Sequence, residues 1–143
     1  MLNSKKNQGL TLVEIIIALA VLAILASFAC PNFIQLVKNE KLKSFANQVY
    51  ADIMLARSLA VKHNGAKVEF SNNGYSVKIN GDVTYKTVSA PDGIIVSNNF
   101  TNNELEFKRN SLPKFNGTIS ISNGSKTISI IVNLNGGVSF EAN

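Results

Sequence analysis

A nearly unbroken apolar run near the amino terminus, residues 10–30, constrains this chain more than any other feature. The run is 21 residues long, and only Thr11, Glu14 and Ser27 interrupt it with polar groups. Because a helix needs about 20 apolar residues to cross the hydrocarbon core of a bilayer, the run is long enough to span a membrane. Two lysines and no acid precede it, so the positive-inside rule predicts a cytoplasmic amino terminus and an extracytoplasmic carboxyl-terminal part.

Two kinds of cleaved signal also contain an apolar core. A secretory signal usually has a core of about 7–15 residues that ends in an A-x-A-like site. This run is longer, and residues 26–29 fit such a site poorly. A lipoprotein signal would place its modified cysteine at Cys30, but Ser27 stands where such signals usually carry an aliphatic residue. Neither signal explains an acid inside the run.

Glu14 is that acid, and it lies only five residues into the run. A charged side chain near the bilayer centre costs about 2.5–3.5 kcal/mol, and less towards the interface. Glu14 is therefore either a carboxylate that reaches the interface or a functional group that needs a cation. No Lys or Arg lies between Glu14 and Lys38. The cation would have to come from another chain, or from a new amino terminus made by proteolysis nearby.

The composition leaves few tools for catalysis. The chain has 143 residues, 45% of them hydrophobic and 16% charged, which fits one folded domain and not a disordered chain. One Cys excludes an internal disulfide framework, and one histidine, His63, excludes sites that need two imidazoles. Glu104 and Glu106 should share one face of a strand, where a solvated surface explains them more simply than acid–base chemistry. We predict no catalytic residue, no metal site and no cofactor.

The segment from residue 31 to residue 64 has the spacing of an amphipathic helix that continues the spanning segment. Pro31 should bend or interrupt the helix without necessarily ending it. Gly65 follows cations in the last turn and is a good stop signal. Charged residues, Asp52 and Arg57 among them, mostly fall elsewhere around the helix. The predicted apolar face consists of Leu42, Phe45, Val49, Ile53, Ala56 and Ala60.

The remaining residues, 65–143, alternate between apolar and polar positions in short runs, which predicts strands. Asn-Gly, the strongest short-range turn signal, occurs six times in the chain, and three copies lie between alternating runs as hairpin turns should. The runs are too closely spaced for parallel crossovers, so we expect an antiparallel sheet or small sandwich packed on the helix. The predicted strands are Lys67–Phe70, Tyr75–Ile79, Val83–Val88, Ile94–Ser97, Leu105–Lys108, Thr118–Ser122, Thr127–Val132 and Val138–Phe140.

Residues 9–14, which read Gly-Leu-Thr-Leu-Val-Glu, resemble the class III signal of type IV pilins and type II secretion pseudopilins. The resemblance implies that residues 1–9 form a leader, which a prepilin peptidase removes between Gly9 and Leu10, and that Leu10 is then N-methylated. It also implies that Glu14, fifth in the mature chain, sets the assembly register by pairing with the amino terminus of a neighbouring subunit. Leu10 departs mildly from the usual Phe or Met.

Two further segments resemble the GspH/FimT group of minor pseudopilins and minor pilins. These are Leu55–Ala60, late in the predicted helix, and the terminal strands with Ile128–Val132 and Gly136-Gly137-Val138, which look like the group's closing β-hairpin and glycine. The resemblance implies an α+β fold, with a long N-terminal transmembrane helix packed on an antiparallel sheet or sandwich head. It implies a non-enzymatic subunit of a type IV pilus or a type II secretion pseudopilus. The implied partners are the prepilin peptidase, other pilin subunits through residues 10–30, and the inner membrane before assembly.

Two other functions stay open. Some FimT-like minor pilins take up DNA through an Arg-bearing motif, and here Gly136–Ser139 occupy the comparable place without Arg. A weak cationic patch at Lys108, Arg109 and Lys114 keeps a DNA-uptake subunit as the alternative, because phosphate contacts dominate such binding. An ordinary single-span membrane protein would keep its leader and would not depend on Glu14.

Overall fold

The computed structural model describes residues 10–142, except for the side chains of residues 28–31 and 142. The chain divides into two units, of which the first ends at Val37 and the second begins at Lys38. One helix, α1 (Leu12–His63), supplies residues to both. It continues through Pro31, so this proline does not end the helix. The predicted leader, including Gly9, lies outside the described residues.

The first unit presents apolar side chains on its surface. Leu12 is 77% exposed and Ile16 is 57% exposed, and other large apolar side chains are exposed from Val13 to Leu25 and from Phe33 to Val37. Among the described residues, α1 is the one helix long and apolar enough to cross a membrane, judged by length and composition. A helix that is apolar all round needs lipid or protein to cover it.

In the second unit, α1 packs one face into the core. All six apolar residues predicted for that face are at most 2% exposed, as the spacing of three and four residues requires. Leu59 and Ala46 extend the same face. The helix ends as the sequence predicts: Asn64 adopts a left-handed φ of 60°, and the Gly65 N–H donates to the Ala60 carbonyl at 2.9 Å.

Within residues 10–142, eight antiparallel strands form two four-stranded sheets, in the orders β3-β2-β1-β5 and β4-β6-β7-β8. Every predicted strand is present, with ends that differ by at most two residues from the predicted ones. A short turn at Thr101–Asn103, in which Asn102 and Asn103 adopt left-handed φ angles of 58° and 59°, was not predicted. The strands are β1 (Ala66–Ser71), β2 (Gly74–Ile79), β3 (Val83–Ser89), β4 (Ile95–Asn98), β5 (Glu104–Phe107), β6 (Gly117–Ser122), β7 (Thr127–Val132) and β8 (Val138–Ala142).

The core lies between the buried face of α1 and the inner faces of both sheets. Alternate residues point inwards along each strand, so β6 reads buried at every second position. The α+β architecture predicted from the sequence is confirmed. The fully buried sheet residues are Val68, Val77, Val96, Leu105, Ile119, Ile121, Ile130 and Val132.

Candidate assembly site

The amino-terminal end of α1 is a capping box formed by Thr11 and Glu14. The Glu14 N–H donates to Thr11 Oγ1 at 3.2 Å, and Glu14 Oε2 accepts from both the Thr11 N–H and the Thr11 hydroxyl at 3.2 Å. This reciprocal arrangement satisfies backbone donors that the first helical turn leaves unpaired. The T-x-x-E spacing was visible in the sequence as a capping signal, which we did not use in interpreting Glu14.

Glu14 is nevertheless an exposed carboxylate on an apolar surface. The adjacent Val13 is 62% exposed, and Ile17, about one helical turn further on, is 58% exposed. Within residues 10–37 the chain contains no Lys or Arg. The capping box therefore supplies hydrogen bonds to Glu14 and no counter-charge.

A second carboxylate on α1 has a different environment. Asp52 was expected to lie away from the apolar face, and this expectation is wrong, because Asp52 is only 4% exposed. The Tyr75 hydroxyl donates to Asp52 Oδ2 at 2.7 Å, and Lys86 Nζ lies 2.8 Å from both carboxylate oxygens. A buried charge needs such partners. The spacing gave a signal, since residue 52 follows Val49 by three and precedes Ala56 by four.

This network ties α1 to the first sheet. Tyr75 lies on β2 and is 3% exposed, whereas Lys86 lies on the edge strand β3 with its side chain 39% exposed. Burial, and then the hydrogen bond to the Asp52 carboxylate, raise the pKa of the Tyr75 hydroxyl far above its ordinary value. The phenol is therefore held as a neutral donor.

Arg57 also departs from its expected outward position. It is half-buried, and its Nη1 donates to the Gly136 carbonyl at 2.9 Å across 79 residues of sequence. Gly136 has a φ of +84°, and a Cβ there would lie 2.9 Å from Arg57 Nη2. The contact joins the two segments that resemble the GspH/FimT group, a link that no local pattern could reveal.

The predicted cationic patch is weakened by its own surroundings. Lys108 and Arg109 are exposed in the loop after β5, but Lys114 Nζ lies 2.8 Å from Glu106 Oε2. An ion pair of this kind neutralises a charge that phosphate contacts would need.

Glu104 and Glu106 share one face of β5, as predicted, while Leu105 and Phe107 are buried on the other. Their face is not simply solvated, since Glu104 is half-buried and lies 2.8 Å from Lys67 Nζ. Hydrogen bonds to Asp82 and Glu104 raise the pKa of Lys67, and Lys67 lowers the pKa of Asp82.

The other residues considered for catalysis or metal binding do not form a site among the described residues. His63 lies half-buried in the last turn of α1, and the side chain of Cys30 is outside the described set. In the part of the chain that the structure describes, no group of three or more potential metal-binding side chains comes together.

Comparisons with known proteins agree with this architecture. Residues 4–29 match the prokaryotic N-terminal methylation motif, and residues 46–136 match the family described as type II transport protein GspH. The crystal structure of the type IV minor pilin FimU from Pseudomonas aeruginosa (strain PAO1) is similar, with a TM-score of 0.61 and 17% identity over 73% of this chain and 94% of that chain. None of the curated proteins matches this chain significantly. At that identity, the structural likeness bears on the fold alone.

Proposed function

The chain belongs to the GspH family and is a minor pilin or pseudopilin subunit, and from this premise we propose that Glu14 sets its register during filament assembly. Pilin and pseudopilin families consist of structural subunits that assemble with one another. The proposal rests above all on one observation: Glu14 is a carboxylate on an exposed apolar helix whose own unit, in residues 10–37, holds no Lys or Arg.

Processing would create the missing cation. We propose that a prepilin peptidase cuts between Gly9 and Leu10 and methylates the new amino group of Leu10. The motif match covers both residues. On the Leu10 side of this bond the chain is open, since α1 begins only at Leu12 and Leu10 is 76% exposed.

The amino group of a neighbouring subunit would then pair with Glu14. Two opposite charges about 4 Å apart attract by about 1 kcal/mol in water and by about 4 kcal/mol at an effective dielectric constant near 20. Among apolar helices the pairing is therefore strong enough to select one axial register over others. The hydrogen bonds from Thr11 would hold the carboxylate near the end of α1 until a neighbour arrives.

The membrane would hold the subunit before this step. We propose that residues 10–30 span the inner membrane with the amino terminus in the cytoplasm, and that the head, residues 65–143, lies outside the cytoplasm. On assembly, helices of sister subunits replace lipid around the exposed apolar surface. The DNA-uptake alternative receives no support from the family matches, and the Lys114–Glu106 pair counts against it.

The test compares Glu14→Gln with Glu40→Gln, an exposed acid on the same helix but in the second unit. Each variant is expressed in cells that lack the wild-type chain and assemble the parent filament. Sheared filaments are probed for the subunit, and intact mass gives the amino terminus. We expect Glu14→Gln to be cut at Leu10 and methylated but lost from filaments, and Glu40→Gln to behave as wild type.

Two results would overturn parts of the proposal separately. Normal incorporation of Glu14→Gln would remove the register role. A wild-type chain that begins at Met1 in native membranes would remove the processing step, and with it the source of the cation.

A further inference from the structure

The structure distinguishes one of the six Asn-Gly steps, Asn80-Gly81, from the other five. At any Asn-Gly step the glycine nitrogen can attack the side-chain amide carbon of asparagine, because glycine has no side chain to hinder the approach. The attack requires an uncommitted side-chain amide, an uncommitted glycine N–H and open space around both. Such asparagines are chemically labile residues.

Asn80-Gly81 meets all three requirements in the turn between β2 and β3. Both residues are exposed. Within residues 10–142 the structure gives no hydrogen-bond partner to the Asn80 side-chain amide or to the Gly81 N–H. Gly81 has a φ of +86°, and no atom lies within 4 Å of where its Cβ would stand. Only the Asn80 backbone is held, by a bond from its N–H to the Gly65 carbonyl at 3.1 Å.

In two other steps the glycine nitrogen is already committed. The Gly65 N–H donates to Ala60 at 2.9 Å, and the Gly136 N–H donates to Asn133 at 2.8 Å. In a third step the asparagine is committed: Asn123 Oδ1 accepts two backbone N–H groups, at 3.0 and 2.8 Å. Each of these bonds must break before the attack.

In the last two Asn-Gly steps, burial of the glycine prevents the attack. Gly74 is buried at the start of β2 and pairs with strands on both sides. Gly117 is buried at the start of β6, and the Phe100 ring fills the space where a Cβ would lie. Strand pairing and crowding both prevent the backbone from adopting the cyclic geometry.

We propose that Asn80 is a site of spontaneous deamidation in the folded protein. The Gly81 nitrogen forms a bond to Asn80 Cγ, the bond from Cγ to Nδ2 breaks, and ammonia leaves with the proton from the Gly81 N–H. Water then opens the cyclic imide at one of its two carbonyl carbons. The product carries aspartate or isoaspartate at position 80.

The negative charge of the product would lie close to acidic side chains. Asn80 lines a cleft of about 270 Å³ with Lys67, Asp82 and Glu106. Lys67 Nζ already lies 2.7 Å from Asp82 and 2.8 Å from Glu104. A new carboxylate at position 80 would compete with Asp82 for Lys67, and isoaspartate would also lengthen the backbone of the short turn. Deamidation therefore marks aged subunits at one defined hairpin.

The experiment uses the full chain in detergent, incubated at mildly alkaline pH in water labelled with heavy oxygen. Peptide mass spectrometry follows label uptake at each of the six steps, in the folded chain and in the chain unfolded by guanidinium. In the folded chain we expect Asn80 to react about fivefold faster, or more, than the other five, since a net free energy of about 1 kcal/mol for one hydrogen bond corresponds to about a fivefold ratio. In the unfolded chain the six rates should converge.

Two matched variants test whether the label enters at Asn80 itself. Asn80→Gln should abolish uptake at position 80, whereas Asn73→Gln should leave the rate at Asn80 unchanged. The proposal is wrong if Asn80 reacts no faster than the other steps in the folded chain. It is also wrong if the unfolded chain shows the same ranking, since local sequence and not the fold would then set the rates.

Discussion

The two halves of α1 both carry apolar residues, but the chain's own sheets bury only one of them. Ile53, in the second unit, is fully buried, whereas Ile16, in the first, is 57% exposed. The second half folds against strands that follow it in the sequence, whereas the large apolar side chains described for the first half are exposed. The apolar spacing therefore indicates that a helix face must be buried. Whether the same chain buries it depends on the strands that follow in the sequence.

The two acids repeat this contrast. Asp52 receives a hydrogen bond from Tyr75 and a cation from Lys86, both supplied by the first sheet. Glu14 receives hydrogen bonds from Thr11 and no cation from its own unit. The partners of Asp52 come from its own fold, whereas Glu14 lacks a counter-charge in its own unit, which is why we propose that a neighbouring subunit supplies it.

The largest expected effect on the free energy of unfolding comes from the same substitution, isoleucine to alanine, made in each half of α1. Ile53→Ala should lower the free energy of unfolding of the second unit by about 2–5 kcal/mol, because it opens a cavity in the core. Ile16→Ala should change it by less than about 0.5 kcal/mol. Urea unfolding of the full chain in detergent, followed by near-ultraviolet circular dichroism, measures this. All three tyrosines lie in the second unit. Equal losses in both variants would remove the contrast.

The next effect concerns the buried acid. Asp52→Ala should cost about 1–3 kcal/mol in the same assay, since it leaves the buried Tyr75 hydroxyl without its acceptor. The matched control is Asp92→Ala, which alters an exposed acid in the turn before β4 and should cost less than about 0.5 kcal/mol. If the double variant of Asp52→Ala with Tyr75→Phe lost the full sum of the two single effects, the two groups would not be coupled.

A smaller effect should appear at alkaline pH. The pKa of Tyr75 is raised above its usual 10.0 in the folded chain, so the unfolded chain loses the phenolic proton first as pH rises. Stability that is fully present below about pH 10 therefore declines above it. Tyr75→Phe should remove this part of the decline and cost about 0.5–1.5 kcal/mol at neutral pH.

Lys67 titrates in the same direction and needs a separate variant. Its pKa is raised above 10.5 by Asp82 and Glu104, so its contribution is also lost at high pH. Lys67→Met should keep the tyrosine part of the decline, which a pH series of unfolding curves resolves. An unchanged decline in Tyr75→Phe would show that the Asp52 network has no part in it.

How much the sequence could predict follows from how local each signal is. The buried face of α1 and the eight strands rest on spacing within a few residues and on Asn-Gly turns, and these predictions are confirmed. The order of strands in two sheets, and the Arg57 bond to Gly136, depend on contacts across the whole chain. Asp52 lies between these cases, since its position on the apolar face was readable but its partners were not.

The smallest expected effect belongs to the first half's own hydrogen bonds. Thr11→Val removes the hydroxyl of the capping box and should cost the end of α1 about 0.5–2 kcal/mol. The tyrosines do not report on that end, so the unfolding curve should shift by less than about 0.5 kcal/mol. Incorporation into filaments should stay close to that of the wild type, because a neighbour's amino group needs the carboxylate and not its bonds to Thr11. If Thr11→Val abolished incorporation as fully as Glu14→Gln, assembly would depend on the capped geometry of this end and not on its charge alone.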